Sequence, residues 1–150
     1  MSSSAYAQKL KLMNFSNEVL SAVEAVLFGG EAALASSQSA EVKAGDGFRS
    51  LVTGGDKASQ SVILEFLSRR FPSARFLCEE ETSHANAFLR SDPKGILDEP
   101  LVYVVDAIDS TVRYARDLGN WAVMIGVMRD GVIVGGALFA PTTNGGMLVV

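Results

Sequence analysis

Two apolar runs on either side of an Asp-Gly pair constrain the fold of this chain more than any other feature of its sequence. The runs cover residues 121–128 and 132–140, and Asp130-Gly131 lies between them. An Asp-Gly pair in this position is a strong signal for a two-residue β-hairpin, because both turn residues adopt positive φ angles. The pattern therefore predicts two buried antiparallel strands joined by a tight turn.

Other apolar runs extend this pattern into a sheet. Residues 75–78 and 101–105 predict two strands before the hairpin, and a turn at 141–146 precedes a last strand at 147–150. Helical periodicity dominates the N-terminal half instead. Helices followed by an antiparallel meander indicate an α+β fold, with helices layered on a mostly antiparallel sheet.

A first helix is predicted over residues 5–28, where apolar residues recur at the i, i+3, i+4 and i+7 positions from Val19. Gly29-Gly30 is predicted to end it, because glycine is the usual residue just past a helix C-terminus. A helical continuation over 31–35 is the alternative. The apolar stripe should pack into the core and carry no chemistry.

A second helix is predicted over residues 54–70. Thr53 is suited to cap its first turn, and Asp56 three positions later completes a capping-box pattern. Pro72 should enforce its end, because proline cannot continue a helix. Its predicted buried face consists of Ala58, Val62, Ile63, Phe66 and Leu67.

The composition limits the kind of protein. The 150 residues fit a single domain without a linker, and a hydrophobic content of 48% is typical of a globular chain. A net charge of −4 without a basic cluster indicates neither a nucleic-acid polymer nor a membrane as partner. A single cysteine and the lack of a signal-peptide pattern favour a reducing, cytoplasmic compartment. Because the chain stops inside an apolar run, we expect it to be the N-terminal part of a longer protein.

The stretch after the predicted strand at 101–105 carries the strongest chemical signal. Asp106 and Asp109 lie three positions apart, and paired carboxylates suit a hard cation such as Mg²⁺. The amides of Ser110 and Thr111 would be free at the start of a helix, which suits a phosphate group. Ordinary turn chemistry explains the same residues, since Asp and Ser are common caps. The residues alone leave both interpretations open.

Other catalytic chemistries have little support. His84 is the only histidine, so a histidine-dependent triad or a zinc site would depend on it alone. No P-loop and no dinucleotide-binding glycine pattern is present. Cys78, inside a predicted strand, is expected to be a core residue rather than a nucleophile. Glu79-Glu80-Glu81 is, taken singly, most simply a solvated charge run. The alternative is a functional role, because the triplet follows the end of a buried strand, where functional residues often lie.

Three segments together resemble the inositol monophosphatase family of metal-dependent, lithium-sensitive phosphatases. Residues 51–56 are similar to the family's Val-Thr-x-x-Asp segment, and residues 71–80 to its Pro-x-x-x-(Ile/Leu)-Gly-Glu-Glu segment. Residues 105–111 resemble its Asp-Pro-Ile-Asp-Gly-Thr signature. The resemblance extends over about residues 12–150 and implies the N-terminal part of the family's layered α/β sandwich.

The resemblance implies a Mg²⁺ site, with Mn²⁺ as an alternative metal. Glu79, Asp106 and the backbone carbonyl of Ile108 would hold one ion, and Asp106 and Asp109 would share a second. The family's third metal aspartate lies in a later Trp-Asp-x-Ala-Ala-Gly segment, which this sequence does not contain. The 150 residues alone are therefore expected to be weakly active or inactive.

The resemblance also implies hydrolysis of a small phosphate monoester by an activated water. Thr111, hydrogen-bonded with Asp56, would orient that water, and Glu79 would be the third catalytic residue. The substrate-binding residues would be Glu79, Ile108, Asp109, Ser110 and Thr111, the last two through their backbone amides. A homodimer is a further implication.

Two residues depart from the family signature. Ala107 replaces its proline, and Ser110 replaces its glycine. We expect Ser110 to lie in ordinary helical φ/ψ, because it would begin a helix and first-turn positions do not require glycine. A 3′(2′),5′-bisphosphate nucleotidase or a sugar bisphosphatase is the alternative enzyme. A non-catalytic member, kept for binding or assembly, is the alternative of another class.

Overall fold

The computed structural model of the protein describes residues 14–42, 51–80, 87–88, 94–144 and 146–150. Its helices are α1 (Asn17–Leu34), α2 (Gly54–Arg70), α3 (Lys94–Leu97) and α4 (Thr111–Ala115). Its strands are β1 (Ala40–Val42), β2 (Leu51–Thr53), β3 (Arg75–Cys78), β4 (Ala87–Phe88), β5 (Leu101–Asp109), β6 (Ala122–Arg129), β7 (Val132–Ala140) and β8 (Met147–Val149).

The central sheet is mixed, with the strand order β4-β3-β5-β6-β7-β8. The strands from β5 to β8 pair antiparallel in succession, whereas β3 is parallel to both β4 and β5. Asp130 and Gly131 in the β6–β7 turn have φ angles of 51° and 77°, as the hairpin signal predicts. The α+β class and the mostly antiparallel sheet are confirmed. β1 and β2 form a separate antiparallel pair that the sequence analysis did not predict.

α1 passes through the glycine pair that was predicted to end it. The prediction of a stop at Gly29-Gly30 was wrong and the alternative continuation is confirmed, since the helix ends at Leu34. A Cβ on Gly29 would lie 2.7 Å from Ile63 Cδ1, and one on Gly30 would lie 2.5 Å from Phe139 Cδ1. The missing side chains let α1 approach α2 and β7 closely. This packing outweighs the roughly 1 kcal/mol that a glycine inside a helix costs.

α1 also begins later than predicted, at Asn17. Ser16 has extended backbone, and its Oγ accepts a hydrogen bond from the Val19 amide at 3.4 Å, so it is the N-cap. The residues predicted as helical at 5–13 lie outside the described part of the chain.

The core lies between the two long helices and the sheet. Fully buried apolar side chains come from each of these layers, among them Val26, Ile63, Leu67, Tyr103, Val105 and Ile125. The Tyr103 ring packs against Phe71 and Phe76, with ring centroids 5.8 and 5.9 Å away. Complete burial of one such side chain contributes about 1.5–3 kcal/mol, so this core is the main source of stability. In the described ranges, no helix is long and apolar enough to cross a membrane.

α2 has its predicted bounds and its predicted Thr53 cap, but its buried face is rotated from the predicted one. Ile63 and Leu67 are buried as predicted. The predicted members that are only partly buried are Ala58, Val62 and Phe66. Polar side chains take their place on the buried face, namely Asp56, Ser59 and Gln60. The physical reason is that this end of α2 covers strand ends, where backbone groups need hydrogen-bond partners.

Candidate active site

Acidic residues from three segments of the chain meet at one end of the sheet. β3 and β5 are parallel neighbours with Cys78 opposite Val105, so Glu79 and Asp106 follow paired positions side by side. The Glu79 amide donates a hydrogen bond to the Val105 carbonyl at 3.2 Å, which continues the ladder. Asp56, in the first turn of α2, is close enough for its charge to act on Asp106. The fold thus brings together residues that are far apart in sequence.

Asp106 is the electrostatic centre of this cluster. Burial raises the pKa of its carboxyl to about 7, and the charges of Glu79 and Asp109, a hydrogen bond with Glu79 and the charge of Asp56 add to the rise. Its Oδ1 is buried and has no hydrogen-bond partner in the part of the chain that the structure describes. A buried carboxylate oxygen without a partner is costly. A cation beside it would remove both this cost and the repulsion among the acids.

Asp56 is almost fully buried, yet both of its carboxylate oxygens accept hydrogen bonds. Oδ2 accepts from the Thr53 amide at 2.7 Å and from the Thr53 hydroxyl, and the Asp56 amide donates back to that hydroxyl at 3.3 Å. Oδ1 accepts from the Thr111 hydroxyl at 3.2 Å. Burial raises the pKa of Asp56, and these hydrogen bonds oppose the rise without cancelling it. The capping box and the contact between Asp56 and Thr111 are therefore both present.

β5 continues past the turn that was predicted after residue 105, and ends only at Asp109. Its pairing with β6 shifts in register between Asp106 and Asp109. Such a bulge changes the direction in which side chains point without ending the strand, which is why the predicted strand end was wrong. The Ile108 carbonyl accepts a hydrogen bond from the Thr111 hydroxyl at 3.1 Å. The bulge thus keeps this carbonyl next to Thr111.

Ser110 lies in the left-handed region, with φ 69° and ψ 45°. The prediction of ordinary helical φ/ψ was therefore wrong, because Ser110 is the N-cap between β5 and α4 and lies outside the helix. The other non-glycine residues with positive φ in the described ranges are all Asn or Asp: Asn14, Asp117, Asn120, Asp130 and Asn144. Those side chains tolerate this conformation better than serine does. Serine at a position suited to glycine stores strain of about 1 kcal/mol or more.

The donor atoms of this cluster suit a hard divalent cation. Glu79, Asp106 and Asp109 supply carboxylate oxygens, and Ile108 supplies a carbonyl, which are the ligand types that Mg²⁺ prefers. In the described residues, no three acidic, histidine or cysteine side chains are grouped closely enough to hold an ion in this arrangement. The fit therefore rests on the Asp106 oxygen without a partner and on the Glu79 carboxyl beside it.

Sequence reasoning missed two buried polar residues of α2 that contact this site. Ser59 Oγ donates to the Ala107 carbonyl at 3.0 Å, inside the β5 bulge. The Gln60 side chain donates a hydrogen bond to the Glu80 carbonyl at 2.8 Å and accepts one from the Glu80 backbone amide at 3.2 Å. Their signal was their spacing, since three and four positions after Asp56 lie on its face of the helix. Their polarity concealed this signal, because the buried face of a helix is recognised in a sequence by its apolar residues.

Tyr114 is a third residue that the sequence analysis did not single out. Its hydroxyl donates to the Ala33 carbonyl at 2.6 Å, and its ring packs edge-on against Trp121 with centroids 5.0 Å apart. A Cβ on Gly55 would collide with this ring. Glycine at 55 therefore lets α4 approach the first turn of α2, which brings Thr111 to Asp56.

The remaining predicted residues have different outcomes. Glu80 is buried, with 6% of its surface exposed, so the interpretation as a solvated charge run was wrong for this residue. Cys78 is fully buried and burial raises the pKa of its thiol to about 12, so its predicted place in the core is confirmed. Glu81 and His84 lie outside the described residues.

These features define a class of protein, a layered α+β protein with an acidic site at the ends of parallel strands. The chain belongs to the inositol monophosphatase family, whose sequence model matches residues 9–148. That match confirms the resemblance of the three sequence segments taken together.

Curated relatives carry several names. An inositol-1-monophosphatase of Synechocystis is 29% identical over 99 residues, which are 66% of this chain and 30% of that protein. A fructose-1,6-bisphosphatase/inositol-1-monophosphatase of Thermotoga maritima is 24% identical over 98 residues, 65% of this chain and 33% of that protein. The Nus factor SuhB of Salmonella typhimurium is 26% identical over 98 residues, which are 65% of this chain and 33% of that protein. The chain thus spans about a third of the length of these relatives.

Solved structures of similar proteins share the fold. The extragenic suppressor protein suhB of Bartonella henselae superposes with a TM-score of 0.66 at 22% identity, over 85% of this chain and 46% of that chain. An inositol monophosphatase of Thermotoga maritima has a TM-score of 0.65 at 20% identity, over 85% of this chain and 45% of that chain. The chain therefore has the fold of slightly less than half of each of these proteins.

Proposed function

We propose that the protein containing this chain hydrolyses a small phosphate monoester, such as an inositol monophosphate, in a reaction that requires Mg²⁺ or Mn²⁺. The observation that carries the proposal is the Asp106 carboxylate. One of its oxygens is buried without a partner in the described chain, and acids surround it. An arrangement that a cation would stabilise is typical of a metal site rather than of turn chemistry. The membership in a family of phosphatases supports the same reaction.

Four residues are proposed as metal ligands. Glu79, Asp106 and the carbonyl of Ile108 would hold one ion, and Asp106 and Asp109 would take part in holding a second. When bound, the metal ions neutralise the phosphate charge, lower the pKa of water and stabilise the leaving alkoxide. The Ile108 carbonyl has lone pairs for a cation in addition to the Thr111 hydroxyl at 3.1 Å.

Thr111 and Asp56 are proposed to orient the attacking water. The Thr111 hydroxyl has one proton, and it has acceptors in both Asp56 and Ile108. Donation to Asp56 leaves the oxygen of Thr111 free to accept a hydrogen bond from the water. The capping box around Asp56 holds this carboxylate still, so the water is oriented by a rigid pair. Glu79, beside the cluster, is proposed as the third catalytic residue.

The phosphate is proposed to bind beside Asp109, where the backbone amides of Ser110 and Thr111 are donors. Neither amide is needed inside α4, because the first turn of a helix leaves its amides without intrahelical partners. Water attacks phosphorus, the bond from phosphorus to the ester oxygen breaks, and one proton of the water passes to the leaving oxygen, so that the products are an alcohol and inorganic phosphate. Glu79, Ile108, Asp109, Ser110 and Thr111 together form the proposed substrate-binding set.

The test compares the protein at its natural length with residues 1–150 alone, both assayed on inositol 1-phosphate. We expect hydrolysis by the longer protein that stops on addition of a metal chelator and returns with Mg²⁺. We expect the 150 residues to be at least about a hundredfold slower, because the family's third metal aspartate lies outside them. A longer protein that hydrolyses no phosphate ester would contradict the proposal, and equal rates would contradict the role of the later segment.

A broader substrate range is a second candidate, because one relative is named both as a fructose-1,6-bisphosphatase and as an inositol-1-monophosphatase. A nucleotide 3′(2′),5′-bisphosphate or a sugar bisphosphate would then be the substrate. Comparing kcat/KM for these compounds with that for inositol 1-phosphate decides between the candidates.

A non-catalytic role is the third candidate, and the conformation of Ser110 favours it. Serine at φ 69° lies beside Thr111, where strain would disturb the proposed phosphate contacts. Relatives named as Nus factors show that proteins similar to this chain are also known under names that are not enzyme names.

We propose a small phosphorylated ligand, a cytoplasmic location, a homodimer and no nucleic-acid polymer as partner. Light scattering on the natural-length protein, with and without RNA, tests the last two.

A further inference from the structure

Gln60 is a fully buried polar residue to which the proposed reaction gives no role. It lies one helical turn after Asp56, and therefore on the same face of α2. None of its surface is exposed, in the part of the helix that covers the ends of β3 and β5. Because a buried amide must be hydrogen-bonded, its partners indicate what it does.

Both polar atoms of the Gln60 side chain bond the main chain of a single residue. Nε2 donates to the Glu80 carbonyl at 2.8 Å, and Oε1 accepts from the Glu80 amide at 3.2 Å. A side chain here makes the pair of hydrogen bonds that a neighbouring strand would make, just beyond the end of β3 at Cys78. The main chain at Glu80 is thereby attached to α2.

Glu79 lies between two such attachments. Its own amide donates to the Val105 carbonyl of β5, and the next residue is held by Gln60. With the peptide groups on both sides fixed, the Glu79 main chain has little freedom. Its partly exposed side chain is therefore kept beside Asp106 rather than released to solvent.

We propose that Gln60 is a positioning residue, which sets the separation of the Glu79 and Asp106 carboxylates and so the affinity of the site for a divalent cation. This inference rests on the proposed function, which assigns that pair to the metal. Glutamine is suited to the task because its side chain both donates and accepts. An ionised glutamate only accepts, and asparagine is one methylene too short.

The experiment is a calorimetric titration of Mg²⁺ into the natural-length protein and its Gln60→Met variant. Methionine keeps the length of the side chain and removes both hydrogen bonds to Glu80. We expect Mg²⁺ affinity to fall by about tenfold or more, as is usual when a residue that orients a metal ligand is lost. We expect kcat at saturating Mg²⁺ to stay within about threefold of the original, because Gln60 does not contact the reacting atoms.

Ile63→Val is the matched control. Ile63 is also fully buried on α2, and its contact with the Gly29 region lies in the core rather than at the site. It should lower stability by about 0.5–1.5 kcal/mol. It should also leave Mg²⁺ affinity within about twofold, because separate sites act independently. A general loss of stability is thereby distinguished from a loss of positioning.

The outcomes separate the two proposals. Unchanged Mg²⁺ affinity in Gln60→Met, with normal binding by the original protein, overturns the role of Gln60 and leaves the proposed function intact. No Mg²⁺ binding by the original protein overturns both. Gln60→Asn serves as the second variant if the methionine protein does not fold. It retains an amide with insufficient reach, and the same weakened affinity is expected.

Discussion

The apolar core and the acidic end of the sheet are built from the same elements but obey opposite rules. Around Leu67 and Tyr103 the side chains are apolar and fully buried, and their burial stabilises the fold. Around Asp106 the neighbouring groups are acids that repel one another, one buried oxygen lacks a partner in the described chain, and Ser110 has a strained backbone. The fold is stable only because burial of the core stabilises it by more than the acidic cluster destabilises it. The difference suggests that the acidic end is shaped for a ligand rather than for stability.

The largest effect is expected from breaking the core alone. Leu67→Ala should lower the free energy of unfolding by about 2–5 kcal/mol, because it removes a completely buried side chain and leaves a cavity. Denaturant unfolding measures this change, with Val132→Ala as the exposed control, for which about 0.5 kcal/mol or less is expected. The Mg²⁺ affinity of the folded variant should not change. A folded variant without Mg²⁺ affinity would show that the two regions are not separate.

The next effect concerns the acidic end alone. Asp106→Asn should weaken Mg²⁺ binding by about a hundredfold or more, which corresponds to about 2.7 kcal/mol, since it removes the anionic charge at the centre of the site. Calorimetric titration measures it. Asp130→Asn is the matched control, because Asp130 lies in the exposed hairpin turn and asparagine tolerates its φ of 51°. Equal Mg²⁺ affinity in Asp106→Asn and the original protein would remove Asp106 from the metal ligands.

The pH dependence of stability sharpens the comparison. Since the folded pKa of Asp106 is raised to about 7, its contribution to stability is present below the ordinary pKa near 4 and is lost as the pH rises through 7. In the absence of metal, Asp106→Asn should therefore be more stable than the original protein at pH 8. The expected difference is about 1–3 kcal/mol, and it should vanish near pH 4.

Saturating Mg²⁺ provides the control for this prediction. The metal should stabilise only the protein that retains the Asp106 carboxylate, so that the order of stabilities at pH 8 reverses. Thermal unfolding at both pH values measures the differences. A metal-free original protein that is more stable at pH 8 than Asp106→Asn would contradict the assignment of repulsion to this carboxyl.

The smallest effect is expected at Ser110. Ser110→Gly should raise the free energy of unfolding by about 1 kcal/mol or less, because glycine adopts φ 69° without strain but loses more conformational entropy on folding, which offsets part of the gain. Asn144→Gly is the control, since Asn144 has a φ of 50° that asparagine already tolerates, and its gain should be smaller. For the natural-length enzyme, a change in kcat/KM within about tenfold supports an active site with serine. A gain of several orders of magnitude would support the non-catalytic role.

Much of the fold could be predicted because its signals are local. The hairpin at Asp130-Gly131, the Thr53 cap and the bounds of α2 depend on residues a few positions apart, and all were predicted correctly. The end of α1 was predicted incorrectly. Gly29-Gly30 looks locally like a helix stop, but these glycines allow close packing against Ile63 and Phe139, which are distant in sequence. Local patterns fail where a distant contact reverses their meaning.

The sequence by itself determined the α+β class, the identity of the acids near the site and the family resemblance, because these follow from residue types and their spacing. Only the tertiary structure decided how those acids act on one another. The parallel pairing of β3 with β5 places Glu79 beside Asp106, and β5 continues through a bulge to Asp109. The connection from β5 to α4 then passes through Ser110 at positive φ. Burial and hydrogen bonding through space set charge and strain, and neither can be obtained from the order of residues along the chain.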